Sequence, residues 1–313
     1  MLAVCPCCAY LGCNTFTLQA LRWHIMDSGS PPMTLATVLL ADRALIRVSG
    51  GDAFEFLQGL ITYDLELLAQ SGAGAGALLS PQGKVLVDFL IIREDDGFLF
   101  DLPADAAPDF LKRLTMYKLR SKVELENVTE SVSVFAVLNG DVPDAVDDPR
   151  HKLLGQRLYL PKSAKALEGD ALSQNDYSLR LIEVGIPQAP VDYTLGDVFP
   201  HDINLDQMNG IGFQKGCFVG QEVVSRVKHR GTARKRFVLV SAQQDLPAPG
   251  TELEAGGKAI GRLGRSVGHK GLAQVRIDRV GAALHSHEEI LADGVPVELA
   301  LPDGVSFSWG RSS

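Results

Sequence analysis

Residues 37–40 and 44–48 are short runs of apolar and β-branched side chains on either side of a polar break, and they read as two strands. Asp52 then opens an amphipathic helix that places Phe54, Leu57, Leu60 and Ile61 at helical spacing. Residues 71–77 consist of a serine followed by alternating glycine and alanine, and are expected to form a loop. That loop leads into a strand pair at 78–79 and 85–92, joined by the turn Pro81-Gln82-Gly83. Residues 108–117 fit a helix, 123–125 and 132–138 fit strands, and 139–152 fit an acidic, proline-bearing surface loop. Beyond Arg236 the pattern changes to short extended segments at 237–240, 259–263, 271–277 and 295–301, with frequent glycine between them. Such spacing predicts a small all-β barrel or sandwich. The periodicity therefore gives a mixed part followed by an all-β part.

Composition narrows the class. The 313 residues suffice for about two domains at ~100–200 residues each. Apolar residues at 46% and charged residues at 22% fit a folded globular chain rather than a disordered one. A net charge of −8 argues against broad attraction to nucleic acid or anionic lipid. No uncharged apolar run approaches the ~18–20 residues that span a bilayer, so no membrane partner is expected. Residues 1–32 carry Cys5, Cys7, Cys8 and Cys13 beside Arg22, Trp23 and His24, and end in Ser28-Gly29-Ser30-Pro31-Pro32. They meet the pattern of a secretory signal poorly and are expected to be a disordered leader. The body then holds Cys217 alone, which excludes a disulfide framework there and points to a reducing compartment.

The segment richest in candidate chemistry runs Gly210-Ile211-Gly212-Phe213-Gln214-Lys215-Gly216-Cys217-Phe218-Val219-Gly220-Gln221-Glu222. Its glycines suit a tightly turning loop, and a helix is expected to begin near Gly220. A thiol placed just before a helix N-terminus, with Lys215 two residues away, has two influences favouring the thiolate that attacks, ligates metal or carries sulfur. Downstream, residues 226–236 hold six Arg or Lys and no acid. This run is a solvated face or an anion site for a folate tail, RNA phosphate or acidic protein. Three weaker patterns are set aside. Gly264-Arg265-Ser266-Val267-Gly268 spells a hydrolase elbow but sits among β segments, Gly83-Lys84 lacks the rest of a phosphate loop, and His285 with His287 has no matching ligand pair.

Lys215-Gly216-Cys217-Phe218-Val219-Gly220-Gln221-Glu222 resembles the signature of the YgfZ family, K-G-C-aromatic-x-G-Q-E, and Arg226, His229, Arg230, Gly231, Arg234, Lys235 and Arg236 resemble its continuation. The residues from Phe56 to Asp64, from Leu79 to Asp88 and from Pro200 to Asn204 are similar to other family segments, in order, so the resemblance covers Met33 to the C-terminus. Phe218 stands where many members have tyrosine. The resemblance implies an α+β fold, with two intertwined mixed modules over 33–236 around a folate channel and a C-terminal β-barrel over 237–313. It implies tetrahydrofolate or a derivative as ligand, no tightly bound metal, and a monomer. The implied role is an accessory factor for assembly or repair of iron–sulfur clusters, partnered by assembly proteins or client enzymes such as those that modify tRNA. RNA contact would run through the basic stretch. Family members are cytoplasmic in bacteria and mitochondrial in eukaryotes, and the cytoplasm is the expected compartment, with the mitochondrial matrix as alternative.

By the same likeness Cys217 is the reactive thiol and Lys215 helps to hold it ionised. Gly216 and Gly220 shape the turn, Gln221 and Glu222 organise the loop, and Arg226 belongs to the ligand site. The related folate-binding aminomethyltransferase of the glycine cleavage system adds Asp88, facing the reactive part of the folate, and Glu183, on a strand, holding the pterin. A one-carbon transferase using Asp88 as acid or base is the alternative activity. A folate-sensing scaffold without chemistry is a third reading.

Overall fold

The structure is a computed structural model and describes residues 34–164, 169–231 and 233–310. The expected leader, 1–32, lies outside the described residues. The first two strands, β1 (Ala36–Leu39) and β2 (Arg43–Ser49), are joined by a tight turn but enter different sheets. After β2 come α1 (Ala53–Gln58), α2 (Leu68–Ser71), β3 (Ala73–Leu79), β4 (Val85–Glu94), β5 (Gly97–Pro103), α3 (Ala107–Lys118) and β6 (Glu124–Asn127). They form an antiparallel sheet in the order β3-β4-β5-β2-β6. α3 packs Phe110 and Leu114 into the core of this module, where Phe110 meets Phe89 and Phe100 at centroid distances of 5.9 and 5.2 Å.

β3 corrects the sequence reading of 71–77 as a loop. Glycine and alanine have low strand propensity, yet all seven residues of β3 are buried and paired along β4. The reason lies in what covers them. The Tyr63 ring occupies the space where a side chain at Gly74 would stand, and Tyr63 Cβ with Phe89 crowds Gly76. The strand is thin because its face is filled from elsewhere.

The chain then returns to β1. β7 (Val132–Asn139), β8 (Val146–Asp147), β9 (Gln156–Pro161) and β10 (Asp170–Ala171) complete a second sheet in the order β10-β1-β7-β9-β8. α4 (Gln174–Val184) follows, begun by a capping box between Ser173 and Asp176 and ended by Gly185 in the left-handed region. Because β1 belongs to one sheet and β2 to β6 to the other, the two mixed modules are intertwined. A family of buried apolar residues, among them Leu45, Ala75, Leu90, Val134, Tyr177 and Leu181, joins both sheets and α4 into one core.

Two single 3-10 turns, Pro200–Ile203 and Leu205–Met208, lead to α5 (Gln221–Arg230). The rest is β11 (Lys235–Ala242), β12 (Glu252–Ala255), β13 (Lys258–Val267), β14 (Lys270–Arg276), α6 (Ile277–His285), β15 (Ile290–Ala292) and β16 (Val295–Ala300). The six strands close in the order β11-β14-β13-β12-β15-β16, and α6 sends Val280 and Ala283 into the barrel core. The architecture is the α+β arrangement with a C-terminal barrel. No described helix is long and apolar enough to cross a membrane.

Candidate functional site

Two glycines separated by more than a hundred residues define how the signature segment sits. Gly220 caps α5 with φ +81°, and a Cβ there would lie 2.7 Å from the Ser80 carbonyl oxygen and 3.1 Å from the α-carbon of Gly83. Gly83, at φ +78°, has equally little room, since a Cβ would stand 2.9 Å from Val223 Cβ. The turn between β3 and β4 is therefore docked on the first turn of α5, an approach that only glycine permits.

Upstream of that contact, Lys215 and Phe218 are buried while Gly216 and Cys217 between them are exposed. The Lys215 ammonium donates to the carbonyl oxygens of Ile61 at 2.8 Å and Tyr63 at 2.7 Å. Burial pulls its pKa down to about 8, against the opposing charge of Asp64. The lysine expected to hold the thiol ionised thus has its ammonium committed to two carbonyls, because α1 ends nearby and leaves them facing inward. Thr62 continues the stitching: its backbone oxygen accepts from Gly212 N at 2.7 Å, and its hydroxyl donates to Gly210 O at 2.7 Å. Two buried anchors thereby present an exposed thiol on a short loop. Gly216 has open space around it and no unusual backbone, so the turn is shaped by Gly220 rather than by both glycines.

The neighbouring polar residues of the signature face solvent. Glu222 reaches Arg226, one turn along α5, at 2.7 Å, and both are mostly exposed. Glu222 was expected to organise the loop and Arg226 to meet ligand; their mutual reach follows from i,i+4 spacing. Gln221 is half-buried in the first turn of α5. In the basic stretch, Arg236 is internal: it grips Asp206 at 2.6 and 3.0 Å and donates to His201 O at 2.8 Å. Arg230, Arg234 and Lys235 remain on the exposed surface.

Beside the segment opens a cavity of about 870 Å³, walled by Tyr63, Asp64, Ala73, Ala75, Met208 and Phe213 among others. Lys228 of α5 lies over the Phe213 ring at 3.4 Å and forms part of the rim. Ala75 and Met208 continue into a recess of about 20 Å³ that holds Asp88, Arg43, Arg150 and Tyr193. Asp88 stands on β4 opposite Ala77, with Oδ1 sealed from solvent and without a hydrogen-bond partner. Burial raises its pKa, while Arg43, the Tyr193 hydroxyl and Arg150 pull it back.

Behind the recess runs a buried ionic network that bridges the two sheets. Arg43 Nε meets Asp101 Oδ1 at 2.5 Å, Tyr159 donates to Asp101 at 3.0 Å, and Arg157 reaches both Asp101 and Asp148. Arg150 binds Asp148 through two nitrogens, at 2.9 and 2.7 Å, and both Arg150 and Arg157 donate to the Tyr177 hydroxyl. None of these residues carries a local sequence signal, because paired buried charges look like surface charges until the fold brings them together.

Glu183 is placed elsewhere. Residues 179–183, expected as a strand, belong to α4, and Glu183 near its end lies 3.5 Å from both Arg180 and Lys270 of β14, lining neither cavity. Helical spacing turns it toward the barrel. Cys217 also lines neither cavity. Its loop is tied to the larger one through the Ile61–Asp64 segment that Lys215 grips. Among the described residues no three or more His, Cys, Asp or Glu gather as a metal site.

Comparison with known proteins places this geometry. Residues 234–307 match the model of the CAF17 C-terminal beta-barrel domain. The chain is 34% identical over 286 residues to the mouse protein named iron–sulfur cluster assembly factor IBA57, mitochondrial, a match covering 79% of each chain. The chain belongs to the IBA57 family. The human IBA57 is 32% identical over 302 residues, covering 84% of this chain and 83% of the human one. The Neurospora crassa IBA57 homolog is 33% identical over 281 residues, and the match spans 64% of that protein. The names of these IBA57 relatives place them in mitochondria, the alternative compartment of the sequence reading; the cytoplasmic one finds no support in them. The glycine cleavage system aminomethyltransferase T of Bartonella henselae superposes with a TM-score of 0.67 over 89% of this chain and 88% of its own, at 16% identity. The IBA57-family chain thus has the aminomethyltransferase fold.

Proposed function

We propose that this protein is an iron–sulfur cluster assembly factor that binds tetrahydrofolate or a derivative in the cavity adjoining the Asp88 recess and presents Cys217 to the cluster or its carrier. The observation that carries the ligand is a cavity of about 870 Å³ with aromatic, methionine and alanine walls that shares Ala75 and Met208 with the recess holding the sealed, unpartnered carboxylate oxygen of Asp88. That volume is within the ~300–1,000 Å³ of ligand sites generally. A pterin fits the donor set, since its flat ring suits Tyr63, Phe213 and Met208 and its N–H edge suits Asp88 as acceptor. Lys228 at the rim would meet a carboxylate of the tail. Bound folate supplies one-carbon chemistry. Asp88, with its raised pKa, could hold or move a proton at Oδ2, which keeps the transferase reading open as a second use of the same site.

Cys217 supports the assembly role differently. Cys217 is the one thiol among the described residues, and it cannot alone complete the four-thiolate set of an ordinary cluster, so on this reading the cluster is cargo shared with an assembly protein or a client enzyme, those that modify tRNA included. Arg230, Arg234 and Lys235 are the basic residues available for an acidic partner or for RNA.

Calorimetric titration with tetrahydrofolate tests the ligand. Wild type and Cys217→Ala should bind alike, Asp88→Asn about tenfold or more weakly, and Glu183→Ala as wild type. Absence of saturable binding by folded wild type would remove the folate reading.

A further inference from the structure

Asp88 Oδ1 and the hydroxyl of Tyr193 have the same problem in the same place. Both atoms are sealed from solvent, neither has a hydrogen-bond partner, and both residues line the recess of about 20 Å³. The two guanidinium groups that line the recess are held elsewhere. Arg43, reaching in from β2, is held by the carboxylate and the backbone oxygen of Asp101 at 2.5 and 2.8 Å. Arg150, from the loop after β8, is held by Asp148. Tyr193, whose hydroxyl is sealed beside Asp88 and unpartnered, is the donor placed to complete the Asp88 carboxylate.

We propose that Tyr193 is the positioning residue for Asp88: its hydroxyl donates to Oδ1 through one water and fixes the carboxylate so that Oδ2 is the acceptor offered to a ligand N–H. A space of this size admits about one water. The tyrosine is suited to donate only, because burial and then the neighbouring Asp88 charge, with Asp192 adding to them, keep its phenol protonated well above the ordinary range.

The C-terminal barrel sets where that hydroxyl stands. The Tyr193 ring packs on Phe237 of β11, with centroids 6.2 Å apart. The preceding residue, Asp192, accepts from the backbone N–H of Arg265 in β13 at 2.6 Å and from its Nε at 2.8 Å. Asp192 also accepts from Gln188 N at 2.7 Å, which closes the short loop that carries Tyr193. The barrel therefore reaches the recess through two consecutive residues.

As a statement about ligand affinity this rests on the folate reading; as a statement about Asp88 it stands without it. The full chain, labelled with ¹³C at the aspartate carboxyl carbons, gives the Asp88 titration directly, with Asp88→Asn assigning the signal. In Tyr193→Phe, which keeps the ring, the Asp88 midpoint should move up by about one pH unit through loss of the donor. Tetrahydrofolate affinity should fall about tenfold, and the acid limb of its pH profile should move with the midpoint. An unchanged Asp88 midpoint in folded Tyr193→Phe overturns the proposal. A shifted midpoint in a protein that binds no folate would discard the folate reading and keep this one. Should Tyr193→Phe fail to fold, uniform replacement of tyrosine by 3-fluorotyrosine, a stronger donor, should lower the Asp88 midpoint. No movement there is equally fatal.

Discussion

The carbonyl oxygen of Tyr63 receives the Lys215 ammonium at 2.7 Å while the Tyr63 ring lies across Gly74, so one residue links the signature loop to the thin strand of the channel wall. Through that residue the exposed Cys217 and the wide cavity share a support although the thiol lines neither cavity. Lys215 is a clasp, and its chemistry is measurable.

Stability should carry the signature of Lys215 at alkaline pH. Its folded pKa of about 8 is below the unfolded value of 10.5, so the unfolded chain binds more protons between these limits. The lysine contribution therefore makes the protein more stable as pH rises from about 8 to 10.5. Urea unfolding of wild type minus Lys215→Met across this range should show that rise; a flat difference would mean that the amine is solvated. At pH 7 the substitution should cost about 1–3 kcal/mol for the two carbonyls left without donors.

Gly220 and Gly216 should respond oppositely to alanine. Gly220→Ala forces an L side chain into a left-handed conformation, at about 1–2 kcal/mol, and drives it against the Ser80 carbonyl and Gly83. Gly216→Ala meets open space and should stay within about 0.5 kcal/mol of wild type. Thermal unfolding of the two variants checks both at once.

Within the basic stretch, adjacent positions should separate structure from surface. Arg236→Ala leaves Asp206 buried without its guanidinium and should cost about 3–5 kcal/mol. Arg234→Ala, on the exposed side, should leave the unfolding midpoint within error and weaken only the binding of an acidic partner or RNA.

Acid should attack the network between the sheets. Burial alone would raise the Asp148 pKa, but the charges and hydrogen bonds of Arg150 and Arg157 hold it far below the usual carboxylate range. Its contribution is fully present above pH ~4 and is lost as pH falls below that. Asp148→Asn should lower stability at pH 7 by about 3–5 kcal/mol and flatten the dependence below pH 4. An acid limb identical to that of wild type would place the sensitivity elsewhere.

How far the chain could be read without its fold varies with the range of the interactions. Four of the six barrel strands, the turn at Pro81-Gln82-Gly83 and the helix after Gly220 follow from local pattern and are present, whereas the short β12 and β15 and the helix α6 were not read from it. β3 was misread because its residues carry no strand signal of their own; Tyr63, ten residues upstream, supplies the missing side-chain surface. α4 was misread although Ser173 and Asp176 spell its capping box, since the likeness of 179–183 to a ligand-bearing strand outweighed it. Asp88 was reachable by resemblance. Tyr193, Arg43 and Arg150 were not, because what gives them meaning is proximity across elements that are far apart in sequence.

The alanine at position 75 has its own consequence. With Met208 it lines both the wide cavity and the recess, and it stands on a strand whose neighbours are glycines already crowded by Tyr63 and Phe89. A small side chain thus stands where the two spaces adjoin, and its size can be set in steps. A series from Ala75→Val to Ala75→Leu and Ala75→Phe would narrow the passage to Asp88 while leaving the Lys215 clasp and the Cys217 loop as they are. That makes one buried methyl group a throttle by which the ligand site can be shut and the thiol's share of the work seen alone.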